Sequence, residues 1–397
     1  MRILIATYWS YPSLGGITTY IKELSQQLMR NGYHVDIFSL HPSLKSYYVV
    51  NSDVKFSKKK MKAMISNQNA SLPSDLWMRY QEIERSCYEA AASQLPLNQY
   101  DLIHTQDIFS TNIFSRIKPK NVPLVTTVHG CFSTEMIRYG IIKKNTERWK
   151  YSTEFESRAL SESQHIITPS NWLNHYLKEL FCLKGVRITT VHNGLSVSSF
   201  LSKLNQAFHP PSSQSKKIVL SCIARLTPLK GHIYLLDALA ELKKNTLDWE
   251  CWFIGNGEIK KKLVNKTRKL NLQNHVKFLG FQKDIPNSLN QTDILILPSL
   301  QENLPYVIME AQISGTPVIA THVGGIPEMI EPFRTGLLSP PKDSDTLYKN
   351  IQLLLQNKTL KTDIIRSAKE FGEKQWAIER TTKEVNAIYQ EERQRIN

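Results

Sequence analysis

The stretch DILILPSLQENLPYVIMEAQISGTPVIAT, from Asp293 to Thr321, decides the fold. DILILPS and TPVIAT are short apolar runs bounded by turn residues, the pattern of fully buried strands. Between them a helix begins near Pro305, a residue tolerated at a helix start because the N–H it lacks would be unpaired there. A strand, a crossover helix and a second strand lie parallel in one sheet. The same stretch frames the helix start with two carboxylates, Glu302 and, eight positions on, Glu310. The front of a helix attracts anions through unpaired N–H groups and positive dipole. A ligand suited to all three features must be anionic and must offer donors to the two glutamates.

The alternation extends outward in both directions. Upstream come KIVLSCIAR, a helix from Ile233 to Lys244, WECWFIGNG, a helix from Glu258 to Leu270, and VKFLGF. The N-terminal half opens with the strand RILIAT and the loop YWSYPSLGG. The helix ITTYIKELSQQLMRN follows, with Ile17, Tyr20, Ile21, Leu24 and Leu28 on one side, and then the strand HVDIFSL. YDLIHT, VPLVTTVHG, HIITPS and GVRITTVHNG continue it, and SDLWMRYQEIERSCYEAAASQL is helical with Ser74 or Asp75 as cap. Residues 45–75 are polar and lysine-rich with weak periodicity and read as a loop or a short helical excursion. Near-continuous apolar strands alternating with helices mean parallel sheets covered on both faces. The expected organisation is an N-terminal domain over 1–200, a linker at 201–216 where Pro210, Pro211 and serines replace any apolar stripe, and a second domain over 217–375. A final helix over 376–397 is expected to pack back on the first domain. Ligands of open α/β sheets sit at the carboxyl ends of the strands, so two such domains would face each other across a cleft.

The 397 residues suit two domains with their own cores, and 41% apolar content is ordinary for a globular chain. The apolar run Ile3–Ala6 is too short for a signal-peptide core, and no run approaches a membrane span. Five scattered cysteines without a C-x-x-C pair fit reduced thiols, so a cytoplasmic location is expected. The formal charge of +15 is compatible with an anionic partner. No zinc-finger, RNA-recognition or helix-turn-helix pattern accompanies it, which argues against nucleic acid.

Four clusters follow strands of the second half: Arg225 and Lys230 in IARLTPLKG, Gly255 and Gly257 in IGNGE, the two glutamates, and Gly324, Gly325 and Glu328 in HVGGIPE. ARLTPLKG, GNGE, FLGF, PSLQENLPYVIMEAQISGTPVIATHVGGIPE and TGLL resemble the donor-binding half of the retaining GT-B glycosyltransferases of family 4. GGITTYIKEL, VPLVTTVHG, TPSNW and VHNG extend the resemblance through most of the chain, most weakly over 45–120. It implies a GT-B fold of two Rossmann-like domains and transfer of a hexose from a nucleotide-diphosphate sugar to a hydroxyl acceptor.

The chemistry fits that implication. A planar guanidinium at Arg225 and a point charge at Lys230 suit a diphosphate. By resemblance, Glu302 binds hydroxyls of the hexose, and Glu310, about two turns down the helix, binds the ribose. Asn303 and Leu304 face the sugar–phosphate region, and Gly255 and Asn256 belong to the donor pocket. In the first half, Gly16 resembles the glycine near the donor phosphate, and His129, at the end of VPLVTTV, a residue contacting the sugar. Retention without a nameable carboxylate nucleophile leaves assistance by the departing phosphate, with Arg225, Lys230, Glu302 and His129 as the catalytic set. After VHNG the family often carries an acid where this chain has Ser196.

No cofactor is implied. Asp343-Ser344-Asp345 matches a metal-binding D-x-D, but a polar turn before a helix makes Asp343 an expected cap, and metal independence is expected. A dinucleotide oxidoreductase would need G-x-G-x-x-G after the first strand, and YPSLGGITTY lacks it. A non-catalytic nucleotide-sugar-binding protein on the same fold is the other alternative. The acceptor is expected to be lipid-linked or a cell-envelope glycan, with a soluble small molecule as the alternative. KFSKKKMK places Lys55, Lys58, Lys59, Lys60 and Lys62 among Phe56, Met61 and, just beyond, Met64. Such a segment can rest on an anionic bilayer, so contact with the inner face of a membrane is expected.

Overall fold

The computed structural model describes residues 1–66, 72–206, 217–245 and 248–396. They form two compact units, one of Met1–Gly194 joined by the chain from Ile378 onward, the other of Leu195–Ala377.

The strands of the first unit are β1 (Arg2–Ser10), β2 (His34–Leu40), β3 (Ser46–Val49), β4 (Lys55–Ser57), β5 (Leu102–Thr105), β6 (Leu124–Thr127), β7 (His165–Thr168) and β8 (Arg187–Thr190). Among the described residues they make an eight-stranded sheet in the order β4-β3-β2-β1-β5-β6-β7-β8. From β2 to β8 the pairing is parallel, and β3 and β4 add antiparallel at the edge. Helices α1 (Gly16–Arg30), α2 (Lys58–Ser66), α3 (Leu76–Ala92), α4 (Ile108–Ile117), α5 (Phe132–Arg138), α6 (Glu147–Ser161) and α7 (Asn171–Leu180) surround it. β1 is apolar through Ile3–Ala6 because it is central, and those residues are fully buried. α1 buries Tyr20, Ile21, Leu24 and Leu28, as its helical spacing requires. Asp75 is the cap of α3, accepting from the Trp77 and Met78 N–H groups.

Within 45–66 the short helical excursion is α2, and the residues before it form the strands β3 and β4 rather than a loop. Tyr47 and Val49 on β3 are buried against Phe38, and α2 packs on the same core through Met61. Phe56 joins that cluster and Lys58 pairs with Glu84, so neither apolar residue of KFSKKKMK faces outward. Lys55, Lys59, Lys60 and Lys62 are exposed, as is Met64 further along α2, so the outward residues of the segment are chiefly charged. Residues 67–71 lie outside the described part.

The second unit holds β9 (Ile218–Ile223), β10 (Trp249–Ile254), β11 (Val276–Gly280), β12 (Ile294–Leu297), β13 (Val318–Thr321) and β14 (Leu337–Ser339). Among the described residues its order is β11-β10-β9-β12-β13-β14, all parallel. Helices α8 (Val197–Gln206), α9 (His232–Leu242), α10 (Lys260–Lys269), α11 (Ile285–Asn290), α12 (Tyr306–Ser314), α13 (Ser344–Gln356) and α14 (Lys358–Gln375) complete it. In this doubly wound order, successive crossovers run outward in opposite directions from β9 and β12, which leaves a switch point between their carboxyl ends.

The division between the units is not at 201–216. It falls at Gly194 and Leu195, because the Leu195 N–H donates to the Trp376 carbonyl at 2.9 Å and α8 packs within the second unit. Leu201–Gln206 is the end of α8, and 207–216 lie outside the described residues. The final helix is likewise shorter than expected. Trp376 is fully buried in the second unit with its indole N–H on Gln312 Oε1 at 2.6 Å, and helix α15 (Ile378–Ile396) begins only after it. α15 belongs to the first unit, where Tyr33 donates to Asn386 at 2.7 Å and Arg187 bridges Glu391 and Glu392. Among the described residues no helix is long and apolar enough to cross a membrane.

Candidate active site

The loops at the carboxyl ends of β9, β10, β12 and β13 are packed together by backbone approach. Lys230 ends a short 3₁₀ turn over Pro228–Lys230, and Gly231 follows at φ +64° as the cap of α9. A β-carbon there would lie 1.9 Å from the Pro298 carbonyl oxygen, so only glycine lets the β9 loop meet the β12 loop. Gly324, at φ +57°, approaches the Glu302 carbonyl in the same way, a β-carbon falling at 1.7 Å. Gly255 is held against Ala224 rather than kept open, and Asn256 accepts from the Leu226 N–H at 2.9 Å while its side chain is exposed.

These contacts set the side chains. Glu302 is buried, and its Oε1 accepts from Lys230 Nζ at 2.6 Å and from Ser299 Oγ at 2.7 Å. Arg225 is exposed on the adjoining loop. Pro305 caps α12 with extended backbone, and Glu310 is the fifth residue of the helix, just over one turn in rather than two. Leu304 is buried in the core beneath, leaving only its backbone for a ligand, while Asn303 and Glu310 are half-buried. Asp343 caps α13, accepting from the Thr346 N–H at 2.9 Å and the Thr346 hydroxyl at 2.6 Å.

In the first unit Gly15, at φ +137°, caps α1, and Gly16 is its exposed first residue. His129 stands just beyond β6, half-buried, with Nε2 3.2 Å from Gln106 Oε1 and its ring edge-on to Tyr20 at 4.9 Å. Burial pushes the His129 imidazole down to about 3. At neutral pH it is an uncharged hydrogen-bonding group. The loop beyond it is pinned by Glu156 on α6, whose fully buried carboxylate accepts from the Phe132 and Ser133 N–H groups at 2.8 and 3.0 Å. Asp107 does the same for β1, accepting from Thr7 Oγ1 and the Tyr8 N–H, both at 2.9 Å.

The geometry thus joins Lys230 to Glu302 at the switch point of one sheet and sets Gly16 and His129 at strand ends of the other. Residues 14–199 match the Glycosyltransferase Family 4 family and residues 205–371 the Glycosyl transferases group 1 family. The chain belongs to the group 1 glycosyltransferases. This glycosyltransferase is 25% identical over 98% of both chains to an uncharacterized glycosyltransferase of Methanocaldococcus jannaschii. It is 28% identical, over 67% of its length and 69% of the relative's, to the Escherichia coli UDP-Gal:alpha-D-GlcNAc-diphosphoundecaprenol alpha-1,3-galactosyltransferase. A sucrose-phosphate synthase from Thermosynechococcus elongatus shares the fold at a TM-score of 0.74, with 18% identity and 98% of each chain covered.

Ser299 and Gln106 were not identified from sequence as partners of Glu302 and His129. Ser299 lies three residues before Glu302 in the non-helical loop between β12 and α12, where no regular spacing fixes a side-chain partner. Gln106 likewise carries no local signal.

The buried histidines give the glycosyltransferase an acid-sensitive first unit. His104 on β5 is pushed down to about 3, first by burial and then by the charge His129 would carry. Below about pH 6.5 the unfolded chain takes up this proton and the folded one does not. The stability His104 contributes is therefore present above that pH and is lost as pH falls toward 3. From pH 7 to 5 the loss amounts to about 2 kcal/mol. Buried Asp107 and Glu156 have raised values and act in the opposite sense, so the histidine is isolated by comparison. Urea titration at both pH values should show a smaller loss for His104→Gln than for the wild-type chain; equal losses would contradict it.

Proposed function

We propose that this glycosyltransferase moves a hexose from a nucleotide-diphosphate sugar to a hydroxyl of a lipid-linked cell-envelope acceptor, with retention at the anomeric carbon. The observation that carries the donor reading is the Lys230–Glu302 pair at the switch point, beside exposed Arg225 and the start of α12. Arg225, Lys230 and the N–H groups of Asn303 and Leu304 take the charge that grows on the leaving diphosphate. Glu302 has one oxygen engaged, and its Oε2 accepts no bond among the described residues, which leaves it for hexose hydroxyls. Glu310 is assigned to the ribose, Gly255 and Asn256 to the pocket wall, Gly16 to the phosphate side and His129 to the sugar.

A carboxylate neutralised by an ammonium and a hydroxyl is a poor nucleophile. The Glu302 environment therefore supports a positioning role, with the incoming hydroxyl deprotonated by the departing phosphate. Arg225 and Lys230 supply the positive charge, so no metal is required. The Escherichia coli relative, named for a UDP-sugar donor and a diphosphoundecaprenol acceptor, supports the lipid-linked class. The exposed lysines of α2 and β4 fit electrostatic contact with the membrane bearing it.

The test is a panel of nucleotide sugars with a polyprenyl-diphosphate-linked sugar in anionic vesicles, in the presence of chelator. Nucleoside diphosphate should be released in step with product, the product should keep the donor's anomeric configuration, and yield should fall as salt screens the vesicle surface. An inverted product, or activity abolished by chelator and restored by manganese, would overturn the mechanism. Equal activity on a water-soluble acceptor regardless of salt would overturn the acceptor class.

A further inference from the structure

We propose that His104 is a positioning residue for His129, linked through the Tyr389 hydroxyl to helix α15. The inference rests on the reading of His129 as a sugar contact. His104 Nδ1 lies 2.6 Å from the Tyr389 hydroxyl, and His104 Nε2 lies 2.7 Å from Thr127 Oγ1. Thr127 Oγ1 lies 3.3 Å from the Tyr20 hydroxyl, and the Tyr20 ring packs edge-on against His129. His104, Thr127 and Tyr389 are fully buried and Tyr20 is 1% exposed.

The chain of contacts joins α15, β5, β6 and α1, and Thr127 is only two residues before His129. A neutral imidazole has one donor and one acceptor, and each hydroxyl has one donor. With two acceptor lone pairs on each hydroxyl oxygen, the four groups can make all three bonds with one proton on every link. An apolar set of similar volume would fill the same space without fixing any orientation. The polar set fixes the turn of the Tyr20 ring and the end of β6 together, since a misplaced member leaves buried polar atoms unpaired. Tyr389 lies 285 residues from His104 in sequence, so nothing local requires a hydroxyl at that position.

The experiment compares the wild-type chain, Tyr389→Phe, His129→Ala and the double variant, well below the lowest melting temperature. Turnover and donor KM are measured with the donor found active in the panel. Tyr389→Phe removes one oxygen. It should lower kcat about tenfold with donor KM nearly unchanged, the signature of a misplaced group rather than lost binding. In the His129→Ala background the same substitution should change kcat by less than about twofold. His104→Gln, which keeps a neutral donor and acceptor, should retain more turnover than His104→Leu. An equal factor in both backgrounds would show a general structural role and overturn the proposal, as would unchanged kcat in Tyr389→Phe. Unchanged kcat in His129→Ala alone would instead remove the reading of His129, and the proposal with it.

Discussion

Glu302→Gln lowers turnover by roughly 10²-fold or more, in line with loss of contacts made in the transition state. It does not weaken binding of the free nucleoside diphosphate. The side chain is buried, and its Oε1 is held between Lys230 and Ser299. The amide keeps the shape and one acceptor but loses the charge that draws sugar hydroxyls and opposes the ammonium. Lys230 is then less neutralised and meets a diphosphate at least as strongly, so binding and turnover separate. Steady-state kinetics beside calorimetry with the free diphosphate checks this. A Gln variant at near wild-type turnover would remove Glu302 from the site.

The outline of both sheets was legible because buried parallel strands are apolar along their whole length. Ile3–Ala6 and Ile294–Leu297 show it plainly, being almost fully buried. The site was legible where a strand end, a turn and a helix start coincide in sequence, as around Glu302. What escaped depends on distant partners. Tyr47 and Tyr48 in β3 look polar and aperiodic, yet β2 and β4 pair with them on either side. Lysines 58–62 resemble a solvated run, yet Met61 buries on the core and makes the segment a helix. Helical periodicity runs through Trp376, and only its indole bond to Gln312 and the pairing of Leu195 with Ala377 show the break. The Lys230–Glu302 contact spans 72 residues and follows from the switch point, not from either motif alone. At Gly255 the Ala224 carbonyl oxygen occupies the space a β-carbon would take, a close approach between two loops that neither stretch shows alone.

Arg225→Ala and Lys230→Gln each weaken binding of a nucleoside diphosphate by about 10²-fold, the scale of losing one desolvated charge partner. The two losses differ in kind. Arg225 is exposed, so its removal leaves the fold undisturbed. Lys230 neutralises the buried Glu302 carboxylate, so its removal also lowers stability by leaving that charge without its cation. The thermal midpoint should fall for Lys230→Gln and stay for Arg225→Ala, while diphosphate affinity falls for both.

The most direct test of a diphosphate site at the β9–β12 switch point is calorimetric titration of the wild-type chain and Arg225→Ala with a nucleoside diphosphate and with its parent nucleoside. The wild-type chain should bind the diphosphate far more tightly, and the substitution should erase most of that advantage while leaving nucleoside affinity unchanged. Equal losses for the two ligands, or no preference for the diphosphate in the wild-type chain, would contradict the assignment.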